Sequence, residues 1–202
     1  MPAGNKDASS KKPPATQATG RNAAKSPVAV TVFLTVVAAS LAGDLLSKHY
    51  VFQSILSENL PADRVEQIRR NSPYELSSRE ILRRLVPSRE VLPGVNFTLS
   101  TNPGVVFGLP MNRWAVTVTT GVMVALIVYF FATADRRHWI LHAALGLILG
   151  GALGNLYDRL FSTVGLPGVE PIRHQVRDFV DLHDSLGYPY IFNVADALLV
   201  IG

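Results

Sequence analysis

The chain has 202 residues, no cysteine, 48% hydrophobic and 17% charged residues and a formal charge of +4, with a mean hydropathy of +0.23. Such a composition excludes a disordered chain and is high for a soluble domain. Without cysteine there can be no disulfide scaffold, thiolate zinc site, iron–sulfur cluster, cysteine nucleophile or cysteine-linked lipid on this chain.

The basic character belongs to one end. Residues 1–27 carry Lys6, Lys11, Lys12, Arg21 and Lys25 against Asp7, and the rest of the chain balances. Rich in Pro, Ala, Ser and Thr, and with no aromatic among its cations, this segment predicts a disordered basic tail and no nucleic-acid partner.

Next in order come three stretches without charge, 28–43, 114–134 and 138–157, each read as a membrane span. The first also resembles a cleavable secretory signal, with Ser40 and Ala42 as its small residues. Apolar residues resume after Asp44 in LLSKHYVF, beyond the length of a signal core, so a retained span is expected. In the third, Gly146, Gly150 and Gly154 repeat every fourth residue and leave one helix face nearly flat, suited to close packing in lipid. A fourth apolar stretch, YIFNVADALLVIG, is too short to cross and reads as a partial helix or a truncated chain.

Arg136 and Arg137, between the second and third spans, join the tail in placing that side in the cytoplasm, so 49–112 and 158–189 face outward. Within the outer insertion 54–90, ADRVEQIRRN and SSREILRRLV read as short solvated helices between prolines. GVNFTLSTNPGVVFGLP reads as strand, turn and strand. The expected fold is thus an all-α membrane protein of four transmembrane helices with a small outer β-cradle and a helical insertion.

Ionisable residues near spans are costly unless paired or facing a water-filled cavity. Four groups qualify, all at outer helix ends: Asp44 with Lys48; Asn155, Asp158 and Arg159; Asp178, Asp181 and Asp184; and Asn193 with Asp196. Asp196 stands out because apolar residues flank it and no cation is local, which favours a raised pKa or a proton shared with a second acid. Two such carboxylates can hydrolyse an amide, one taking a proton from water and the other donating to the carbonyl oxygen. Each residue also has a plainer reading. Asp44 and Lys48 suit an interfacial ion pair at i,i+4, Asp181 and Asp184 suit solvated loop acids, and Asn102 before Pro103-Gly104 suits a turn. His138 and His142 have metal-ligand spacing but no third ligand, so no metal is expected. HExxH, GxSxG and phosphate-loop motifs are absent from the sequence. The residues themselves leave open whether Asp158, Asp178 or Asp181 pairs with Asp196.

The segments DLLSK (44–48), NPGVVFGL (102–109), GGALGNLYDR (150–159), VRDF (176–179) and FNVADALLVIG (192–202) resemble, in order, the five motifs of the lipoprotein signal peptidase family, also called signal peptidase II. The resemblance implies a four-helix aspartyl protease of the bacterial cytoplasmic membrane. Such an enzyme is a cofactor-free, lipid-embedded monomer that cuts diacylglyceryl-modified prolipoproteins before the lipidated cysteine. It assigns the catalytic pair to Asp178 and Asp196. Asp44, Lys48, Asn102, Gly104, Asn155, Asp158, Arg159 and Asn193 would bind substrate or support the pair, with Asp158 an organiser and the second choice as catalytic acid. The tail and the 54–90 insertion are longer than the family pattern, and Pro103 and Val105-Val106 depart from its turn motif. A proton- or ion-coupled transporter is the rival reading of the same acids, though no internal repeat supports it. A non-catalytic membrane adaptor binding a partner through the insertion is a third.

Overall fold

A computed structural model describes residues 22–71, 77–106, 109–110, 112–166 and 169–202. The first 21 residues of the basic tail lie outside this set, as do Phe107 and Gly108 of the turn motif. The described helices are α1 (Pro27–Asn59), α2 (Ala62–Asn71), α3 (Ser78–Leu85), α4 (Arg113–Thr133), α5 (Trp139–Phe161), α6 (His183–Leu186) and α7 (Val194–Ile201). The strands are β1 (Arg89–Leu92), β2 (Val95–Asn102), β3 (Val105–Val106), β4 (Leu109–Pro110), β5 (Thr163–Leu166), β6 (Val169–Arg173) and β7 (Val176–Asp181).

Among the described residues three helices, α1, α4 and α5, are long and apolar enough to cross a bilayer, so this is an integral membrane protein. The expected fourth span is represented by the eight residues of α7, about 12 Å at the helical rise and well short of a hydrocarbon core. Nor is the chain all-α. The described residues are mostly helical with three small antiparallel sheets, ordered β1-β2-β7, β3-β4 and β5-β6.

The helices pack where side chains are smallest. A methyl group added to Gly150 would lie 2.4 Å from Ser40 Cβ, and one added to Gly154 would lie 2.2 Å from Asp44 Oδ2. The opposite flank of α5 is equally close to α7, since a Cβ on Gly151 would meet the Ala195 carbonyl oxygen at 2.6 Å. The predicted flat face therefore exists and is spent on α1. At the end of the bundle away from the sheets, Phe33 stacks on Phe131 with ring centroids 3.9 Å apart. There Ala23, in a short 3-10 turn ahead of α1, donates its N–H to Ala134 O at 2.8 Å. The start of α1 is thus joined to the α4–α5 connection.

At the other end, α1 runs on to Asn59 and enters a second core with Val65, Ile81, Leu82, Leu99, Val164 and Phe179. The helices α2 and α3 are accordingly amphipathic rather than fully solvated, each burying one face. A capping box between Ser77 and Glu80 starts α3, and the Ser78 hydroxyl bonds to the Glu170 carbonyl of β6. The Asn-Pro-Gly segment does turn the chain, but β2 does not pair with the strand after it. It lies between β1 and β7, with Ser100 opposite Asp178 and Asn102 opposite Val176. Eight residues of β2 that bury Leu99 and set Phe97 edge-on to Phe179 at 5.3 Å outweigh a two-residue return strand.

Candidate active site

Where α1, α5, β7 and α7 meet, five polar side chains are buried together: Asp44, Lys48, Asn155, Asp158 and Asn193, with Asp178 only 5% exposed beside them. Lys48 is the hub. Its Nζ donates to Asp44 Oδ2 at 2.7 Å and to Asn155 Oδ1 at 2.9 Å, and lies 3.3 Å from Asp158 Oδ2. Asp44 Oδ1 accepts the Ala195 N–H at 2.9 Å, fastening the first turn of α7 to α1. The ion pair expected at the end of the first span is present, but it is fully buried and couples three helices instead of standing at an interface.

Asn193 and Asn155 link the two acids nominated as catalytic. Asn193 Nδ2 donates to Asp178 Oδ1 at 2.6 Å and to Asn155 Oδ1 at 3.2 Å, and Asn155 Nδ2 donates to Asp196 Oδ1 at 2.9 Å. A reciprocal capping box fixes Asp196: its Oδ2 accepts Asn193 N–H at 3.2 Å, and Asn193 Oδ1 accepts Asp196 N–H at 3.1 Å. Phe192 exchanges backbone hydrogen bonds with Val180, so the strand carrying Asp178 is held against the residue preceding Asn193. Burial pushes the Asp178 carboxyl up to about 7, and the Asp196 charge adds to the rise. Arg159 is half-buried; its Nη1 donates to Asn155 O at 3.2 Å, and its Nε is buried with no partner among the described residues.

The other acids are otherwise engaged. Asp158 accepts Arg177 Nε at 3.0 Å, Arg177 Nη2 at 2.6 Å and the Arg177 backbone N–H at 3.0 Å. Asp181 Oδ2 accepts the Thr98 hydroxyl at 2.9 Å, and Asp184 Oδ2 accepts Asn96 Nδ2 at 2.7 Å. Asn102 lies at the end of β2, beside β7, and its Oδ1 accepts the Gly104 N–H at 2.9 Å. Gly104 adopts φ +109°, where a side chain would be strained. His142 is buried at the opposite end against the rings of Phe131 and Trp139. Among the described residues no three His, Cys, Asp or Glu side chains form a metal-binding group.

Arg177 escaped the sequence reading. Its signal was available: a buried Asp158 needs a cation, and its sequence neighbour Arg159 lies on a different helical face.

A family model described as "Signal peptidase (SPase) II" matches residues 36–202. A lipoprotein signal peptidase of Desulfitobacterium hafniense (strain DSM 10664 / DCB-2) is 37% identical over 53% of this chain and 62% of its own. One from Aquifex aeolicus (strain VF5) is 41% identical over 56% of this chain and 64% of its own. The chain therefore spans less than two thirds of the length of these relatives. In fold, it is similar to a bacterial membrane enzyme structure solved by the in meso method, with a TM-score of 0.52, 24% identity and 86% of each chain covered. With the family model covering most of its length and all five motif segments inside the match, the chain belongs to the signal peptidase II family.

Proposed function

We propose that this protein is an aspartyl endopeptidase that removes the signal peptide from diacylglyceryl-modified prolipoproteins, cutting before the lipidated cysteine. The observation that carries the reading is the pair Asp178 and Asp196, brought from a strand and a helix to one asparagine-linked network. Asp178 is the acid. A carboxyl held to about 7 keeps a proton near neutral pH and can donate it to the scissile carbonyl oxygen. Asp196 is the base, its two oxygens oriented by Asn155 and Asn193 so that it can take a proton from the attacking water. Arg159, with an Nε–H to spare, and Asn102 bind the substrate backbone; Asp44, Lys48, Asp158 and Arg177 hold the elements in place.

The acids gather at one end of the bundle, which suits hydrolysis at a membrane surface better than an ion path through the lipid. Arg136 and Arg137 lie at the opposite end, near the junction of the tail with α1. By the positive-inside rule that end is cytoplasmic and the site faces the outer leaflet of the bacterial inner membrane.

Cleavage of a diacylglyceryl precursor, read by gel shift, tests the reading. Asp178→Asn and Asp196→Asn should each abolish cleavage while the protein still inserts, and full activity in either variant would overturn the assignment.

A further inference from the structure

Beyond its membrane-length stretch, α1 lies beside β5, which among the described residues pairs only with β6. Between them runs a groove of about 300 Å³. Its lining includes His49, Gln53 and Ser57, one helical stripe at four-residue spacing, with Thr163 and Gly165 of β5 and Arg177 of β7, alongside apolar side chains of α1 and β5. The polar ones offer an imidazole, an amide, two hydroxyls and a guanidinium, and among the described residues no carboxylate lines the groove. Asp158, which bonds to Arg177, is committed to its Nε and Nη2, and Glu58, next to Ser57, to Arg89. Nη1 of Arg177 makes neither of those bonds, and a planar guanidinium is suited to phosphate oxygens. The stripe begins just past Asp44, alongside the exposed Leu46 and Tyr50, and the length of α1 ahead of it, about 33 Å at the helical rise, is enough to cross a hydrocarbon core.

We propose that this groove binds the phosphodiester headgroup of an anionic membrane phospholipid, with Arg177, His49, Gln53 and Thr163 on its oxygens and the acyl chains continuing past Leu46. The site is separate from the dyad, because Arg177 and Asp178 project to opposite faces of β7.

The test uses the full chain in detergent, with tryptophan fluorescence reporting its thermal unfolding. Dihexanoyl phosphatidylglycerol and inorganic phosphate serve as the two probes. Phosphatidylglycerol should raise the unfolding temperature saturably. The double variant His49→Ala/Gln53→Ala, altered only at exposed helix positions, should bind at least about tenfold more weakly. Gly165→Trp should abolish the shift by filling the groove, since a Cβ there meets nothing within 4 Å. An equal response to inorganic phosphate would keep the anion site and make free phosphate its source. No saturable shift with either probe, or the same shift in wild type and both variants, would overturn the proposal. Because binding is measured directly, the outcome does not depend on whether the protein cleaves prolipoproteins.

Discussion

Replacing Gly154 by Ala adds one methyl group at the tightest point of the α1–α5 contact. Its Cβ would stand 2.2 Å from Asp44 Oδ2 and 2.9 Å from Asp44 Cγ, with ordinary contact beginning near 3.4 Å. The carboxylate, or the helix carrying it, must therefore retreat by about an ångström. Asp44 bonds to Lys48 at 2.7 Å and to Ala195 N–H at 2.9 Å, so the same displacement stretches at least one bond beyond useful length. Overpacking costs about 1–3 kcal/mol and a lost charge-assisted bond about 1.5–3 kcal/mol, together about 2.5–6 kcal/mol of stability. The chemistry should suffer too. Ala195 precedes Asp196, and an ångström of misplacement near reacting groups costs about 100-fold in rate. Gly43, one residue before Asp44, is the matched control, since its added Cβ meets nothing within 4 Å. Gly43→Ala should be neutral or slightly stabilising through helix propensity, by up to about 1 kcal/mol. Unfolding in sodium dodecyl sulfate followed by circular dichroism, with precursor cleavage in parallel, gives both readouts. Wild-type stability and turnover in Gly154→Ala, or equal damage from Gly43→Ala, would refute the reasoning.

Two further outcomes follow from the same geometry. Because the folded Asp178 carboxyl is raised from 3.8 to about 7, its contribution is fully present below the ordinary carboxylate range and fades as pH rises to about 7. Wild type should thus lose stability on the order of a few kcal/mol across that window relative to Asp178→Asn, and cleavage should fall above about pH 7 as the acid is lost; parallel unfolding and rate profiles with pH check both. Arg177→Met should destabilise by about 3–5 kcal/mol, because buried Asp158 would keep only Lys48, at 3.3 Å, as a cationic partner. Arg177→Lys should fall between it and wild type, since an ammonium cannot reproduce the two-pronged contact, and detergent unfolding ranks the three.

The sequence by itself determined whatever depends on one segment at a time. Uncharged length located α1, α4 and α5, and glycines at every fourth position marked the face of α5 that meets α1. Turn residues placed the Asn102–Gly104 bend. The pairing of acids had no such local signature. Asp158, Asp178 and Asp181 are equally acidic and equally near an apolar segment, and only the motif resemblance singled out Asp178. Packing gives the three different partners. Asp181 is drawn to Thr98 by the β2–β7 register, Asp158 is claimed by Arg177, and Asp178 alone of the three reaches Asn193. The contacts that build the site join residues far apart in the chain, 107 positions between Lys48 and Asn155 and 151 between Asp44 and Ala195. Helix and strand periodicity tells which side chains share a face of one element. Which faces meet depends on burying the apolar surface of all the elements at once, so it is settled only when the chain has folded.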